Sequence, residues 1–402
     1  MSNPKLIRWP RLAIGVVTLL FAGLIYAWSI LKAPFEGYWD AAQLGVNYSL
    51  TVCFFCLGGL FSGLISKKTS SGVRLVISAA LLFSGFFITS RLGGGSVIPL
   101  YLAYGVLAGL GIGFAYNTVI GTTNAWFPDK QGFSSGTLLA GFGLSSLIMG
   151  RVADILGRSD AIGWKNTYVI FAISIGALLL VSALLVKPPP KDTVFPAPRK
   201  AKKSADSGQV RDFTAQEVLR RPSFYMIFVY ATILASPGLA AIGFATDIVT
   251  DVGGSIGFAV TAVGILAVFN GLGRLVTGWL FDGLGVRKAQ LIISSIGILA
   301  PLTVTLALLA GSLPLGVVGI CLCSFTYGAT PTSLSVLMAR FYGQKNFPLI
   351  FSMANLVLLP APLAATLAGV IKTGTGAFTM VFVILTVCTA AGFVVNIWIR
   401  KP

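Results

Sequence analysis

Runs of about 20 apolar residues recur from one end of this chain to the other, separated by short polar stretches. Each run is long enough to cross a hydrocarbon layer as a helix, and a helix satisfies its own backbone groups where no water is present. Residues are 55% hydrophobic and only 10% charged, against about 25% charged in a soluble globular chain. Mean hydropathy is +0.88. So few charges cannot cover a water-exposed surface, and the expected fold is an all-α integral membrane protein rather than a porin-type barrel.

Twelve transmembrane helices are expected, at about 11–31, 44–66, 73–91, 97–123, 132–156, 165–186, 223–249, 257–281, 289–311, 315–339, 347–371 and 377–399. Basic residues fall unevenly between alternate loops. One side collects Lys5, Arg8, Arg11, Lys67, Lys68, Arg74, Lys130, the linker cations, Arg287, Lys288, Arg340, Lys345, Arg400 and Lys401. The other holds Lys32, Arg91, Arg151, Arg158, Lys165 and Lys372. This asymmetry predicts an inner, cytoplasmic membrane location with both termini in the cytoplasm. It also accounts for the net charge of +17 without nucleic acid as a partner. The apolar stretch behind Lys5, Arg8 and Arg11 has no clear cleavage site and is expected to be retained as the first span.

Residues 187–221 form the one long polar segment, rich in Pro and Lys, and read as a cytoplasmic linker, solvated or lying on anionic lipid. It divides the chain into a six-helix bundle at 1–186 and another at 222–402. Gly72-Val73-Arg74 matches Gly285-Val286-Arg287 at an offset of 213, and Ala125-Trp126-Phe127 matches Ala339-Arg340-Phe341 at 214. Two related halves suggest a rocking carrier with its site between pseudo-symmetric bundles. Gly105, Gly109 and Gly113 leave one helix face bare for close packing. Pro237, Pro331, Pro360 and Pro362 interrupt spans, as cavity-lining breaks or as simple kinks.

The absence of histidine removes His-metal sites, His proton relays and Ser-His or Cys-His catalysis. All five cysteines lie in apolar runs and read as small hydrophobes. No metal, no cofactor and no enzymatic activity are expected; neither is a channel ring nor an accessory protein, and a single chain should suffice.

One charge breaks the pattern. Arg274 lies well inside the apolar run 257–281. A charge there costs about 2.5–3.5 kcal/mol even on the lenient insertion scale. An anionic ligand would offset that cost, because a planar guanidinium matches a carboxylate. The alternative is a structural hydrogen-bond hub. Asn270 is one turn away on the same face. Asn117 with Tyr116, and Tyr327, lie mid-span and are candidates to close a pocket; each tyrosine could equally be a packed core residue.

Gly278-Trp279-Leu280-Phe281-Asp282-Gly283-Leu284-Gly285-Val286-Arg287-Lys288 resembles the gating motif of the major facilitator superfamily, in which Gly278, Asp282, Gly285 and Arg287 are the motif positions. Its glycines would let helix ends pack closely, with Asp282 clasping the basic pair. In the first half Lys67 stands where an acid is expected. Within the superfamily the chain resembles the monocarboxylate transporters and the oxalate/formate antiporter group. Tyr26-Ala27-Trp28-Ser29, Trp126-Phe127-Pro128-Asp129-Lys130-Gln131-Gly132, Phe341-Tyr342-Gly343-Gln344-Lys345-Asn346-Phe347 and Asn270-x-x-x-Arg274 carry that resemblance. It implies alternating-access transport of lactate or pyruvate with a proton, Tyr26 joining the substrate-binding candidates. The rival is an organic-anion exchanger of the oxalate/formate type. Asn270 stands where the animal carriers have a proton-handling acid, so the resemblance does not carry proton coupling over to that position; span 11 has no Lys or Arg, where the oxalate carrier has a second cation, and this favours a monocarboxylate over oxalate. Asp247 and Asp251 are the nearest acidic candidates for proton coupling.

Overall fold

The computed structural model describes residues 4–190, 193, 195, 211–375 and 377–402. The side chain of Tyr26 and most of the linker lie outside the described residues. Among the described residues the regular elements are all helical.

In chain order the long helices are α1 (Pro4–Ala22), α2 (Ala41–Ile65), α3 (Ser71–Thr89), α4 (Ile98–Asn124), α5 (Gln131–Gly157) and α6 (Gly163–Leu185). They continue as α7 (Pro222–Gly243), α8 (Ile256–Leu284), α9 (Val286–Ala310), α10 (Leu313–Tyr342), a divided α11 (Phe347–Asn355 and Leu363–Thr375) and α12 (Thr379–Trp398). Ten of these have the length and composition to cross a membrane. The other two are the interrupted ones. α1 passes into a 3₁₀ turn at Gly23–Ala27 before a last short turn at Trp28–Leu31. α11 breaks at the 3₁₀ turn Leu356–Leu358, just before Pro360 and Pro362. Pro237 and Pro331, by contrast, sit inside uninterrupted helices.

Local chemistry explains the boundaries. Asp40 and Gln43 form a capping box at the start of α2, and Ser70 and Ser255 cap α3 and α8. Gly285, at φ 79°, makes the sharp turn between α8 and α9 that an L side chain resists. Thr214 and Glu217 cap a short helix at Ala215–Leu219. The backbone and hydroxyl bonds from Thr214, then Arg211, hold the exposed Glu217 carboxyl below its usual range.

The chain forms two compact units. The first comprises residues 1–129, 141–198 and 347–353. Here α4 lies against α2 through glycines: a Cβ on Gly109 would come 2.8 Å from the Thr51 carbonyl oxygen, and one on Gly113 would overlap that of Phe55. Part of α4, Tyr101–Ala108, winds as a π-helix. Hydroxyls tie the helices: Thr18 to Ser182 at 2.7 Å, Ser62 to Thr118 at 2.9 Å, and Ser78 to the Gly111 carbonyl at 2.6 Å. A cavity of about 240 Å³ lies among Leu31, Pro34, Asp154, Arg158, Trp164 and Tyr168. None of the candidate site residues lines it.

The second unit comprises residues 130–140, 199–346 and 354–402. Its α8 and α10 touch backbone to backbone, since a Cβ on Gly273 would overlap the Phe325 carbonyl and one on Gly328 that of Asn270. Ser324 donates to the Leu266 carbonyl at 2.7 Å along the same seam.

Candidate functional site

Arg274 is the largest of the fully buried side chains, at 2% exposure. It lies midway along α8, in the second unit, where α5 and α10 pack on that helix. A Cβ on Gly136 of α5 would come 2.6 Å from the Arg274 carbonyl oxygen, so bare backbone allows α5 to approach. Two neutral oxygens are among the partners of the guanidinium. Nε donates to Oδ1 of Asn270 at 3.0 Å, and Nη1 donates to the Leu139 carbonyl of α5. The Asn270–Arg274 pair expected from the sequence is thus a direct hydrogen bond. The Leu139 contact has no sequence signal, because any residue supplies a backbone carbonyl.

Tyr327 is 7% exposed and packs in an apolar cluster with Ala235 and Ala361. Tyr116 and Asn117 lie in the first unit. The Tyr116 ring stands edge-on to Phe142, 4.9 Å between centroids, and stacks on Phe351 at 5.9 Å. Asn117 is 1% exposed; Nδ2 donates to the Pro348 carbonyl at 2.7 Å, while buried Oδ1 accepts no hydrogen bond from the described residues. Asp247 and Asp251 are exposed on the short helix Ala245–Asp251, and Oδ2 of Asp251 stands 3.9 Å from Nζ of Lys372.

The motif aspartate makes a different clasp from the one expected. Asp282 accepts from the backbone N–H of Gly132 at 3.0 Å and of Phe133 at 2.7 Å, capping the exposed donors of the first turn of α5. Nη2 of Arg340, from the end of α10, lies 2.8 Å from the same carboxylate, and its Nη1 donates to the Phe281 carbonyl at 3.0 Å. Arg287 instead donates to the Asn396 carbonyl at 3.1 Å. Its place at the first turn of α9 points it toward the end of α12, away from Asp282. Gly278 earns its place in the motif through space, since a Cβ there would overlap the Gly132 carbonyl. Arg340, Gly132 and Phe133 are the members of this clasp that the motif alone does not name. In the sequence Arg340 stood out only as a basic residue at the end of a span.

α5, α8 and α10 therefore meet along one polar seam, with Ser135 and Ser335 hydroxyls 2.9 Å apart between the Asp282 clasp and Arg274. Hydrogen bonds and bare glycine backbone both contribute to that seam.

Comparison with known proteins bears on the family and the fold. An uncharacterized MFS-type transporter, YhjX, of Escherichia coli is 27% identical over 352 residues, covering 86% of this chain and 83% of its own length. The oxalate:formate antiporter of Oxalobacter formigenes is 25% identical, covering 85% and 80%. Monocarboxylate transporter 12 of Rattus norvegicus is 22% identical, covering 92% and 80%. Among solved structures, the E. coli fucose:proton symporter aligns with a TM-score of 0.69 at 17% identity, over 98% of this chain and 99% of its own. The proton:xylose symporter XylE gives 0.74 at 14%, over 100% and 97%. These are carriers, not enzymes, and the family model of the Major Facilitator Superfamily matches residues 11–366. On this evidence the chain is a multi-pass membrane protein that belongs to the Major Facilitator Superfamily.

Proposed function

We propose that this chain is a proton-coupled secondary transporter of short monocarboxylates such as L-lactate and pyruvate, with Arg274 binding the carboxylate. The observation that carries the reading is the guanidinium of Arg274, buried within a span and hydrogen-bonded to Asn270 one turn away. A buried guanidinium gains more from a carboxylate than from a neutral oxygen, because the carboxylate adds the attraction of opposite charges at low dielectric and matches the planar fork with two parallel bonds. Asn270 would add a hydrogen bond to the carboxylate or to a 2-hydroxyl. Asn117, whose buried Oδ1 has an unused acceptor site, together with Tyr116, Tyr327 and Tyr26, would complete the pocket.

Transport would run by alternating access between a bundle at 1–186 and one at 222–402, joined by the linker 187–221. The chain would act as a monomer in the inner membrane, both termini in the cytoplasm. Binding the anion neutralises Arg274, so the loaded carrier rocks without bare charge in the apolar layer. Gly278, Asp282, Gly285 and Arg287 would form the gate. Asp247 and Asp251 would carry the proton.

The monocarboxylate transporter and oxalate:formate antiporter relatives support an organic-anion substrate. The second of them keeps exchange as the rival mode. The test is uptake of radiolabelled L-lactate into proteoliposomes, with and without an inward proton gradient, for wild type and Arg274→Ala. Gradient-stimulated uptake that is lost in the variant is the expected result. Uptake indifferent to the gradient but stimulated by internal anion would replace symport by exchange. No lactate uptake in either format would remove the substrate assignment.

A further inference from the structure

Arg8 and Asp129 form an ion pair that the gate and the binding site leave unexplained. Nη1 of Arg8 lies 2.7 Å from Oδ1 of Asp129, and the two side chains are only 8% and 7% exposed. The Arg8 guanidinium also stands 5.0 Å from the Phe127 ring centroid and 5.5 Å from that of Trp9. One turn on, Arg11 covers the Trp126 ring at 4.3 Å, and Arg11 and Trp126 both donate to the Lys187 carbonyl, at 2.8 and 2.7 Å. The start of α1 thus holds the loop at Trp126, Phe127 and Asp129.

A buried ion pair is a poor source of net stability, because desolvation offsets the attraction; the best-attested use of such a pair is to fix one arrangement among several. What this pair fixes is the end of that loop. The chain passes from the first unit to the second between Asp129 and Lys130, and returns at Gly141. Immediately beyond the pair come Gly132 and Phe133, the two residues that Asp282 caps.

The second half repeats the device with different chemistry. Arg221, 213 residues after Arg8, lies 5.5 Å from the Phe213 centroid. Asp212 accepts from the backbone N–H of Lys345 at 3.0 Å, and the Phe213 N–H donates to the Tyr342 carbonyl at 2.9 Å. Ser223 and Tyr342 hydroxyls are 2.8 Å apart. That segment grips residues 342–346, and the chain changes unit between Asn346 and Phe347. Both strapped loops therefore end where the chain crosses between units.

We propose that Arg8 and Asp129 are positioning residues for transport. Their pair pins the loop before α5, so that residues 131–140 dock on α8 and α10 from a fixed start and re-dock there after each opening. This role does not depend on which substrate is carried.

The test uses a full-length protein with its native cysteines replaced and Ser135→Cys as a reporter of the docked α5 segment, labelled by a maleimide in membranes without substrate. Arg8→Ala and Asp129→Asn are expected to speed labelling about fivefold or more, as a loss of one or two kcal/mol would. Arg8→Lys, which keeps the charge, should stay within about twofold of the parent. A companion protein retaining only Cys323, buried in the second unit, monitors general loosening. Unchanged labelling at position 135 would overturn the proposal. So would an equal rise at Cys323, or an Arg8→Lys variant as disturbed as Arg8→Ala.

Discussion

At the scale of single residues the proposed chemistry rests on Arg274. Its bonds to Asn270 and Leu139 use the Nε and Nη1 donors, so replacing it by Lys keeps the charge and loses the fork. Arg274→Lys is expected to weaken apparent L-lactate affinity roughly tenfold to hundredfold, the worth of one hydrogen bond to a charged group. Concentration dependence of initial uptake reads it; an unchanged KM would mean that the guanidinium does not hold the substrate. Asn270→Asp tests the same point from the other side. A carboxylate in place of the amide would sit at hydrogen-bond distance from Nε and occupy the cation. Uptake at neutral pH should fall, and should recover on acidification more steeply than in wild type, as protonation of the new acid releases Arg274. Parallel pH profiles for the two proteins would contradict this. Arg274 was legible in the sequence because a lone charge in an apolar run stands out, and Asn270 because helical spacing places it beside that charge. Leu139 was not legible, since its contribution is a main-chain oxygen. Nor was the Arg8–Asp129 pair, whose partners are both polar-stretch residues far apart in the chain.

At the scale of helices, Asp282 holds three elements at once: the first turn of α5, the end of α8 and Arg340 of α10. Asp282→Ala would leave two helix N–H groups and a half-buried guanidinium without that acceptor. The expected loss is about 2 kcal/mol of stability, the usual cost of stripping a partner from charged hydrogen bonds. Thermal unfolding in detergent measures it, and Asp282→Asn, which keeps an acceptor oxygen, should fall in between. Equal melting of wild type and Asp282→Ala would deny the clasp a structural role. The sequence motif announced a clasp at this turn but named the wrong cations for it. Arg287 is two residues past a φ 79° glycine, and that turn carries it toward α12, whereas Arg340 arrives from a helix whose register only packing sets. The spans were legible for a similar reason. Ten spans follow from length and hydropathy alone. Pro237 and Pro331 read as breaks or as simple kinks, and α7 and α10 run on through them, since packed neighbours can absorb a missing N–H bond. Two prolines spaced by one residue, Pro360 and Pro362, leave too few donors to continue, and α11 divides there.

At the scale of the whole molecule, charge arithmetic limits what the carrier can take through an apolar layer. Span 11, residues 347–371, contains no Lys or Arg, so Arg274 is the one cation that the sequence places deep within a span. One cation balances one carboxylate. A dicarboxylate at the same site would carry a second charge into low dielectric with no partner, at a cost of several kcal/mol. Oxalate should therefore compete with L-lactate at least about tenfold less well than pyruvate does, a ratio that corresponds to only about 1.4 kcal/mol. Competition against labelled lactate in proteoliposomes decides it, and equal inhibition by oxalate and pyruvate would favour the exchanger. The same neutrality argument bears on the proton. If anion binding cancels Arg274, the loaded site is neutral, and a co-transported proton must sit on a separate acid. Asp247 and Asp251 are placed where such an acid could exchange with solvent, being exposed and, in the case of Asp251, 3.9 Å from Lys372. The double variant Asp247→Asn, Asp251→Asn should keep lactate exchange while losing the stimulation by an inward proton gradient. Retention of full gradient-driven uptake would show that the proton does not travel on these acids.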